Sequence, residues 1–78
     1  MLDYTLHELE ALHEQRLEAL LDYVGGYMHL ARMLNIPATT VKSWKDRGRI
    51  SKVGAKKVEE NKRLRNTIFV AEYLRPEM

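Results

Sequence analysis

Glycine and proline residues divide the chain into short segments. Their positions limit where helices can begin and end, and so limit the folds that the chain can adopt. Gly25 and Gly26 follow one long segment with helical spacing of apolar residues, Pro37 opens another, and Gly48 closes it. Glycine adopts the left-handed conformation at a helix C-terminus without steric penalty, whereas proline suits the first helical position and forces the preceding residue out of helical geometry. The pattern predicts an all-α domain of four to five helices.

The first predicted helix runs from Thr5 to Val24. Thr5 and Glu8 have the spacing of a capping box, and Tyr4 and Leu9 have the spacing of a hydrophobic staple. At about 100° per residue, the apolar side chains fall in one sector roughly 80° wide. These side chains are Leu6, Leu9, Leu17, Leu20 and Val24.

His13 falls near the centre of this apolar sector and Arg16 lies at its edge, so polar groups interrupt the sector midway. Three interpretations stay open for this interruption. The helix kinks there, or the polar groups face a second copy of the chain and set its register, or they are exposed to solvent.

Two short helices are predicted next, over 28–34 and 37–47, with residues 35–36 as a tight connection. Val41 and Trp44 are three residues apart, which places both on the inward side of the second of these helices. The opposite side of that helix is polar and is expected to face solvent.

Ser51 can cap a further helix that extends to about Glu60. In this helix Val53 and Val58 are expected to point inward, and three lysines outward. These lysines are Lys52, Lys56 and Lys57.

The C-terminal part of the chain is less regular. Residues 61–66 form a basic connector, and 67–70 are either a short strand or the entry to a last helical turn. We expect the ordered chain to end at residues 74–76, because Pro76 cannot continue a helix.

Length and composition exclude several classes of protein. A chain of 78 residues has room for one small domain but not for a multidomain enzyme. It has no cysteine, which removes disulfides and thiolate zinc sites and fits a reducing compartment. The longest apolar run, 68–71, is far shorter than the roughly 20 residues that span a bilayer. We therefore expect a cytoplasmic protein that is neither secreted nor membrane-bound.

The sequence contains no pattern typical of catalysis or metal binding. The three histidines, His7, His13 and His29, are not spaced with carboxylates in a ligand motif. A nucleophile with its base, or a glycine-rich phosphate loop, is also missing. The expectation is a non-enzyme with no metal and no cofactor.

Charge is distributed unevenly along the chain. Residues 1–35 carry two cations against six carboxylates, a net charge of −4, whereas residues 36–78 carry eleven cations against five carboxylates, a net charge of +6. Ten of those cations lie between Lys42 and Arg65. Such a density of cations favours a polyanion partner, because each one that neutralises a phosphate releases a condensed counterion. A solvated helix face is the alternative explanation.

The segment 27–44, with the sequence YMHLARMLNIPATTVKSW, resembles the helix-turn-helix of phage repressors. A small residue stands where two helices cross closely, an apolar residue fills the turn, and apolar residues hold both helices to the core. The agreeing positions are Leu30, Ala31, Leu34, Ile36, Val41 and Trp44. With residues 48–51, residues 55, 58 and 59, and residues 74–77, the resemblance extends to the Cro-type and YdaS-type small phage regulators and covers residues 17–78.

The sequence departs from this family at three positions. Asn35 replaces the usual glycine of the turn, Pro37 replaces the Ser or Thr that opens the second helix, and Val70 replaces the Thr or Ser that opens the last one. Residues 1–16 have no counterpart. We therefore divide the chain into an N-terminal helical extension, residues 1–16, and a helix-turn-helix domain, residues 17–78.

The resemblance implies a sequence-specific, double-stranded DNA-binding transcriptional regulator: a Cro-like repressor of a phage or prophage, binding its operator as a homodimer at the nucleoid of a bacterial cell. Docked in this way, the helix over 37–47 would read bases in the major groove. The predicted base-reading residues are Ala38, Thr39, Lys42 and Ser43. The predicted backbone contacts are Tyr27, Lys45, Arg47, Arg49, Lys52, Lys56 and Lys57. The dimer candidates are Leu2, Leu6, Leu9, Leu12 and His13.

Two alternatives remain. Trp44, Gly48 and Ile50 also resemble winged-helix proteins of the excisionase type, in which strands at 50–54 and 67–70 would pair as a wing. The other alternative is an interaction protein whose acidic first helix binds a partner protein, with the basic half merely solvated.

Overall fold

The computed structural model describes residues 5–77, which form five α-helices. Within this range there is no β-strand, so the predictions of an all-α fold and of four to five helices are confirmed. The helices are α1 (Leu6–Val24), α2 (Tyr27–Leu34), α3 (Ala38–Arg47), α4 (Lys52–Glu60) and α5 (Ala71–Leu74).

The winged-helix alternative is wrong, because its strands are not formed. Ser51 Oγ accepts a hydrogen bond from Gly54 N at 3.0 Å, so the backbone enters α4 at Lys52, where the wing requires a strand. Residues 67–70 are irregular and lead into the short helix α5. The second interpretation of 67–70, entry to a last helical turn, is the one observed.

Local capping signals fix both ends of α1. Thr5 Oγ1 accepts from Glu8 N at 3.1 Å and Thr5 N donates to Glu8 Oε1 at 3.3 Å, which is the predicted capping box. Gly25 ends the helix with φ of 92°, a conformation that only glycine adopts freely. Tyr4 of the predicted staple, and Leu2, lie outside the described residues.

A connection of three residues joins α2 to α3. Asn35 has φ of 55°, in the left-handed region that asparagine tolerates, and Ile36 N donates to Ala31 O at 3.0 Å. Pro37 has ψ of 140° and stands before the first helical residue. For this reason α3 begins at Ala38, one residue later than the sequence predicts.

Trp44 lies at the centre of the core, 3% exposed, and it depends on a glycine in α4. A Cβ atom built on Gly54 would lie 2.5 Å from both Cη2 and Cζ2 of the indole. The indole therefore rests directly on the backbone of α4. Val41 is fully buried beside it, so the predicted inward side of α3 is confirmed.

The same contact explains a wrong prediction in α4. Val53 is expected inward but is 68% exposed, whereas Gly54, Ala55 and Val58 are buried. The helix turns its least bulky side toward Trp44, because only glycine leaves room for the indole. Val53 is carried to the outer surface by this rotation.

The start of α5 uses a side chain from α4. Val70 precedes the helix and has no side-chain acceptor to offer its first turn. Glu59 Oε1 accepts from Ala71 N at 3.0 Å instead. A carboxylate at this end of a helix is also favoured by the helix dipole.

The C-terminal tail, residues 75–77, folds back over α1 and the α3–α4 connection. Arg75 Nη1 donates to Ile50 O at 2.7 Å and Arg75 Nε donates to Glu77 Oε2 at 2.6 Å. The other carboxylate oxygen, Oε1 of Glu77, lies 2.8 Å from His13 Nε2. The tail thus joins elements that are distant in sequence, and ordered chain extends beyond the predicted end at 74–76.

None of the three interpretations of His13 describes its surroundings. The imidazole is 4% exposed and α1 runs unbroken through it, so neither solvent exposure nor a kink applies. Arg16 is held in the same way: its Nη1 donates to Tyr73 O at 2.9 Å and its guanidinium lies over the Tyr73 ring. Both polar groups bind the C-terminal part of their own chain. The imidazole is hydrogen-bonded to Glu77 of the same chain, so it does not face a second copy.

Replacing Gly54 by alanine tests the packing of Trp44. We expect Gly54→Ala to lower the free energy of unfolding by about 1–3 kcal/mol, because the new methyl group forces the indole or α4 to move. The free energy of unfolding is measured by urea denaturation, with the fluorescence of Trp44 as the probe. Val53→Ala, one residue away on the exposed side, serves as the control and should change stability little. An unchanged or more stable Gly54→Ala variant would show that the helix accommodates the methyl group.

The tail carboxylate makes stability depend on pH. Burial raises the pKa of Glu77, but hydrogen bonds from Arg75 and His13 outweigh it and lower the pKa from 4.5 to about 2. The stabilisation is therefore complete above pH 4.5 and is lost as the pH falls through 2. We expect Glu77→Gln to destabilise the protein by about 2 kcal/mol at neutral pH, and the difference from wild type to shrink between pH 4.5 and 2. Chemical denaturation across this pH range measures the difference in the free energy of unfolding between wild type and variant. A difference that does not change with pH would contradict a stabilising role of the Glu77 carboxylate.

Candidate nucleic-acid interface

The outer side of α3 is polar and open. Because Val41 and Trp44 face the core, Thr39, Lys42 and Asp46 lie on the opposite side and are exposed. Lys42 Nζ lies 3.6 Å from Asp46 Oδ2, and both side chains are more than half exposed. Such an exposed ion pair contributes little energy, so Lys42 is free to exchange this partner for another acceptor.

The other two predicted base-reading residues are less open. Ser43 is half-buried at the edge of this side, where its Oγ accepts from Arg47 Nη2 at 2.6 Å. Ala38 is partly buried and packs against the core. The four residues lie on or beside one face of α3, with Thr39 and Lys42 the most accessible.

The predicted backbone-contacting residues surround α3 on several sides. Lys45 reaches over the Tyr27 ring, with Nζ 5.8 Å from the ring centroid. Arg47, Arg49 and Lys52 line one cavity of about 310 Å³ between α3 and α4. The remaining two, Lys56 and Lys57, are exposed on α4.

A line of four exposed carboxylates on α1 runs beside the C-terminal end of α3. They are spaced four residues apart and therefore follow one side of the helix. We name this line the acidic stripe; it consists of Glu10, Glu14, Glu18 and Asp22.

Three shallow cavities separate the acidic stripe from the cations of α3 and its following turn. Glu18 and Asp22 share one with Lys45, and Glu14 lines the other two, both with Arg47. Glu14 also approaches the end of α3, since its Oε2 lies 3.4 Å from a Cβ built on Gly48. Within residues 5–77, no ion pair of 4.0 Å or less joins the stripe to these cations.

The sequence alone does not predict that the acidic stripe lies beside α3. The spacing of the carboxylates is visible in it, but their position beside α3 depends on how α1 packs. The cations Lys45 and Arg47 face carboxylates of their own chain. We therefore expect them to attract an external polyanion less than Lys52, Lys56 or Lys57.

The dimer candidates on α1 differ in exposure. Leu6 is 74% exposed, while Leu9 and Leu12 are partly exposed. Leu2 lies outside the described residues, and His13 is buried within its own chain. Of the dimer candidates, Leu6 in the first turn of α1 is therefore the most open.

Two kinds of site are not found in the described part of the chain. Residues 5–77 hold no group of three or more histidine or carboxylate side chains arranged to bind a metal ion. None of the five helices is long and apolar enough to cross a bilayer.

Comparison with known proteins identifies no matching family, no matching curated protein and no matching solved structure. The resemblance of residues 17–78 to small phage regulators therefore stays a prediction.

Proposed function

We propose that this protein is a helix-turn-helix, sequence-specific binder of double-stranded DNA that acts as a transcriptional regulator. The observation that carries the proposal is the orientation of α3, which buries Val41 and Trp44 and presents Thr39 and Lys42 to solvent. The short connection between α2 and α3 supports it, because it joins the helices as a helix-turn-helix requires.

In this mechanism α3 lies in the major groove, which is wide enough for an α-helix. Lys42 leaves Asp46 and donates to guanine O6 or N7, and Thr39 contacts a base through its hydroxyl or its methyl group. Ser43 contributes a hydroxyl at the edge of the groove. Asp46, once Lys42 has left it, accepts from cytosine N4 or pairs with Arg47 or Arg49 instead.

Phosphate contacts supply affinity and fix the register of the protein on the duplex. The exposed cations of α4 are suited to this role: Lys52, Lys56 and Lys57. Arg49, in the connection before α4, shares a cavity with Glu10 and Glu14 and contributes less. At α2 the capping position is Gly26, which has no side chain to bind the first-turn N–H groups. A phosphate beside Tyr27 could reach these groups, but Glu18 and Asp22 line the same cavity and weaken such a contact.

Two copies of the chain would read two half-sites. We assign the contact between copies to the start of α1, where Leu6 is 74% exposed and Leu9 and Leu12 are partly exposed. A symmetric dimer would place its two α3 helices about 34 Å apart, one turn of DNA. Regulation then follows from occupancy of the operator, which blocks polymerase.

The acidic stripe favours a second candidate, an interaction module that binds a partner protein through α1. All four carboxylates of the stripe are exposed in one line, as a basic partner surface would need. Titration with unrelated duplex DNA at low salt separates the two candidates. DNA binding with a steep salt dependence supports the regulator, and its absence supports the interaction module.

Two lysine substitutions test the division between base and phosphate contacts. A preferred duplex is first selected from a random pool and compared with an unselected one. We expect Lys42→Ala to narrow the affinity gap between these duplexes, with a loss of about 1–3 kcal/mol on the preferred one. Lys56→Ala should weaken both alike and reduce the salt slope by about one. Identical behaviour of the two variants would contradict the division.

The acidic stripe should weaken binding to DNA in general. We expect the double variant Glu14→Gln/Glu18→Gln to bind an unselected duplex about 3–10-fold more tightly at low salt, because two repulsive charges beside Lys45 are removed. Fluorescence anisotropy measures the affinity. The control, Glu8→Gln/Glu72→Gln, makes the same charge change at exposed positions in the first turn of α1 and on α5, and glutamine keeps the capping box. An equal gain in both variants would show that net charge matters and position does not.

A further inference from the structure

Four basic side chains from two separate parts of the chain surround one cavity. His29 and Arg32 come from α2, and Lys62 and Arg63 come from the connector that follows α4. We call this site the basic cleft. Its cavity has a volume of about 470 Å³, and no carboxylate of the described chain lines it.

Asn61 holds the two sides of the cleft together. Its Nδ2 donates to Met33 O, near the end of α2, at 2.8 Å, and its Oδ1 accepts from Arg63 N at 3.0 Å. The side-chain amide thus positions the connector through one donated and one accepted hydrogen bond.

The connector, residues 61–66, is also held to the core and by its own backbone hydrogen bonds. Leu64 is fully buried in the core, and the N–H groups of Leu64 and Arg65 donate to Asn61 O at 3.0 and 2.8 Å. Arg63 therefore belongs to a turn whose backbone is fixed on both sides. A ligand that binds there does not have to order the loop first.

The cations of the cleft have no opposite charge to neutralise them. Within residues 5–77, the ion pairs involve only His13, Lys42 and Arg75 as bases. Arg32, Lys62 and Arg63 form none and are exposed. Arginine in particular presents several N–H donors in a planar arrangement that matches phosphate oxygens.

We propose that the basic cleft binds a phosphate of the DNA backbone, on the same duplex that α3 reads. The choice of duplex rests on the proposed function and on distance, since Ala38, the first residue of α3, comes five positions after Met33. A chain of five residues spans at most about 18 Å. The cleft thus lies near the end of α3 that enters the groove, and a phosphate flanking the groove is the nearest polyanion.

Inorganic phosphate tests the cleft without any reliance on DNA binding. In a ¹H–¹⁵N NMR titration with inorganic phosphate at constant ionic strength, we expect saturating shifts of the backbone amides of His29, Arg32, Asn61 and Arg63. Arg63→Ala should abolish these shifts. Arg65→Ala is the matched control, because Arg65 is an exposed arginine of the same connector that does not line the cleft. Absent shifts, or equal effects of the two variants, would overturn the site.

Duplex binding then tests the source of the phosphate. Arg32→Ala and Arg63→Ala should each lower the affinity for an unselected duplex about 3–10-fold and reduce the salt slope by about one, with Arg65→Ala close to wild type. If inorganic phosphate shifts the amide resonances of the cleft but neither variant changes the affinity for the duplex, the assignment to DNA is wrong. If the wild type binds no duplex, the proposed function fails, and with it the DNA source, while the phosphate titration still decides the cleft.

Discussion

The contact between the Trp44 indole and the backbone of α4 at Gly54 is the constraint on which the rest of the structure depends. It fixes the rotation of α3 about its axis, because the helix cannot bury this ring in any other direction without losing Val41 from the core as well. It also fixes the rotation of α4. The polar side of α3 faces outward as a consequence of this packing, and the geometry invoked for DNA recognition is set by an apolar contact on the other side of the helix.

A second set of contacts joins the two ends of the described chain. His13 and Arg16 of α1 bind Glu77 and the carbonyl of Tyr73, and Arg75 continues the connection to Ile50. The middle of α1 is thereby tied to the tail and, through it, to the turn between α3 and α4. The attachment to the tail and the buried leucines in the C-terminal half of α1 together hold the acidic stripe beside α3.

The sequence predicts those features whose causes are local. The capping box at Thr5, the helix ends at Gly25 and Gly48 and the inward side of α3 depend on residues within a few positions of one another, and all are confirmed. The features it does not predict depend on distant partners. Val53 is exposed because of a tryptophan in another helix, and the buried His13 is hydrogen-bonded to a carboxylate 64 residues away.

The same distinction applies to the candidate sites. Thr39 and Lys42 can be chosen from the sequence, because Val41 and Trp44 show which side of their helix is buried. The basic cleft cannot, because Arg32 and Arg63 share a cavity only once the Asn61 side chain bonds to the end of α2 and Leu64 is buried in the core.

The placement of the acidic stripe on α1 and of most cations on α3, α4 and the connector has an electrical consequence. Opposite charges held on different elements give the molecule a permanent dipole moment. In the field of a polyanion such a molecule experiences a torque, which turns its cationic elements forward before the surfaces touch. Collisions are thereby oriented in advance, and this bias weakens as added salt shortens the range of the field.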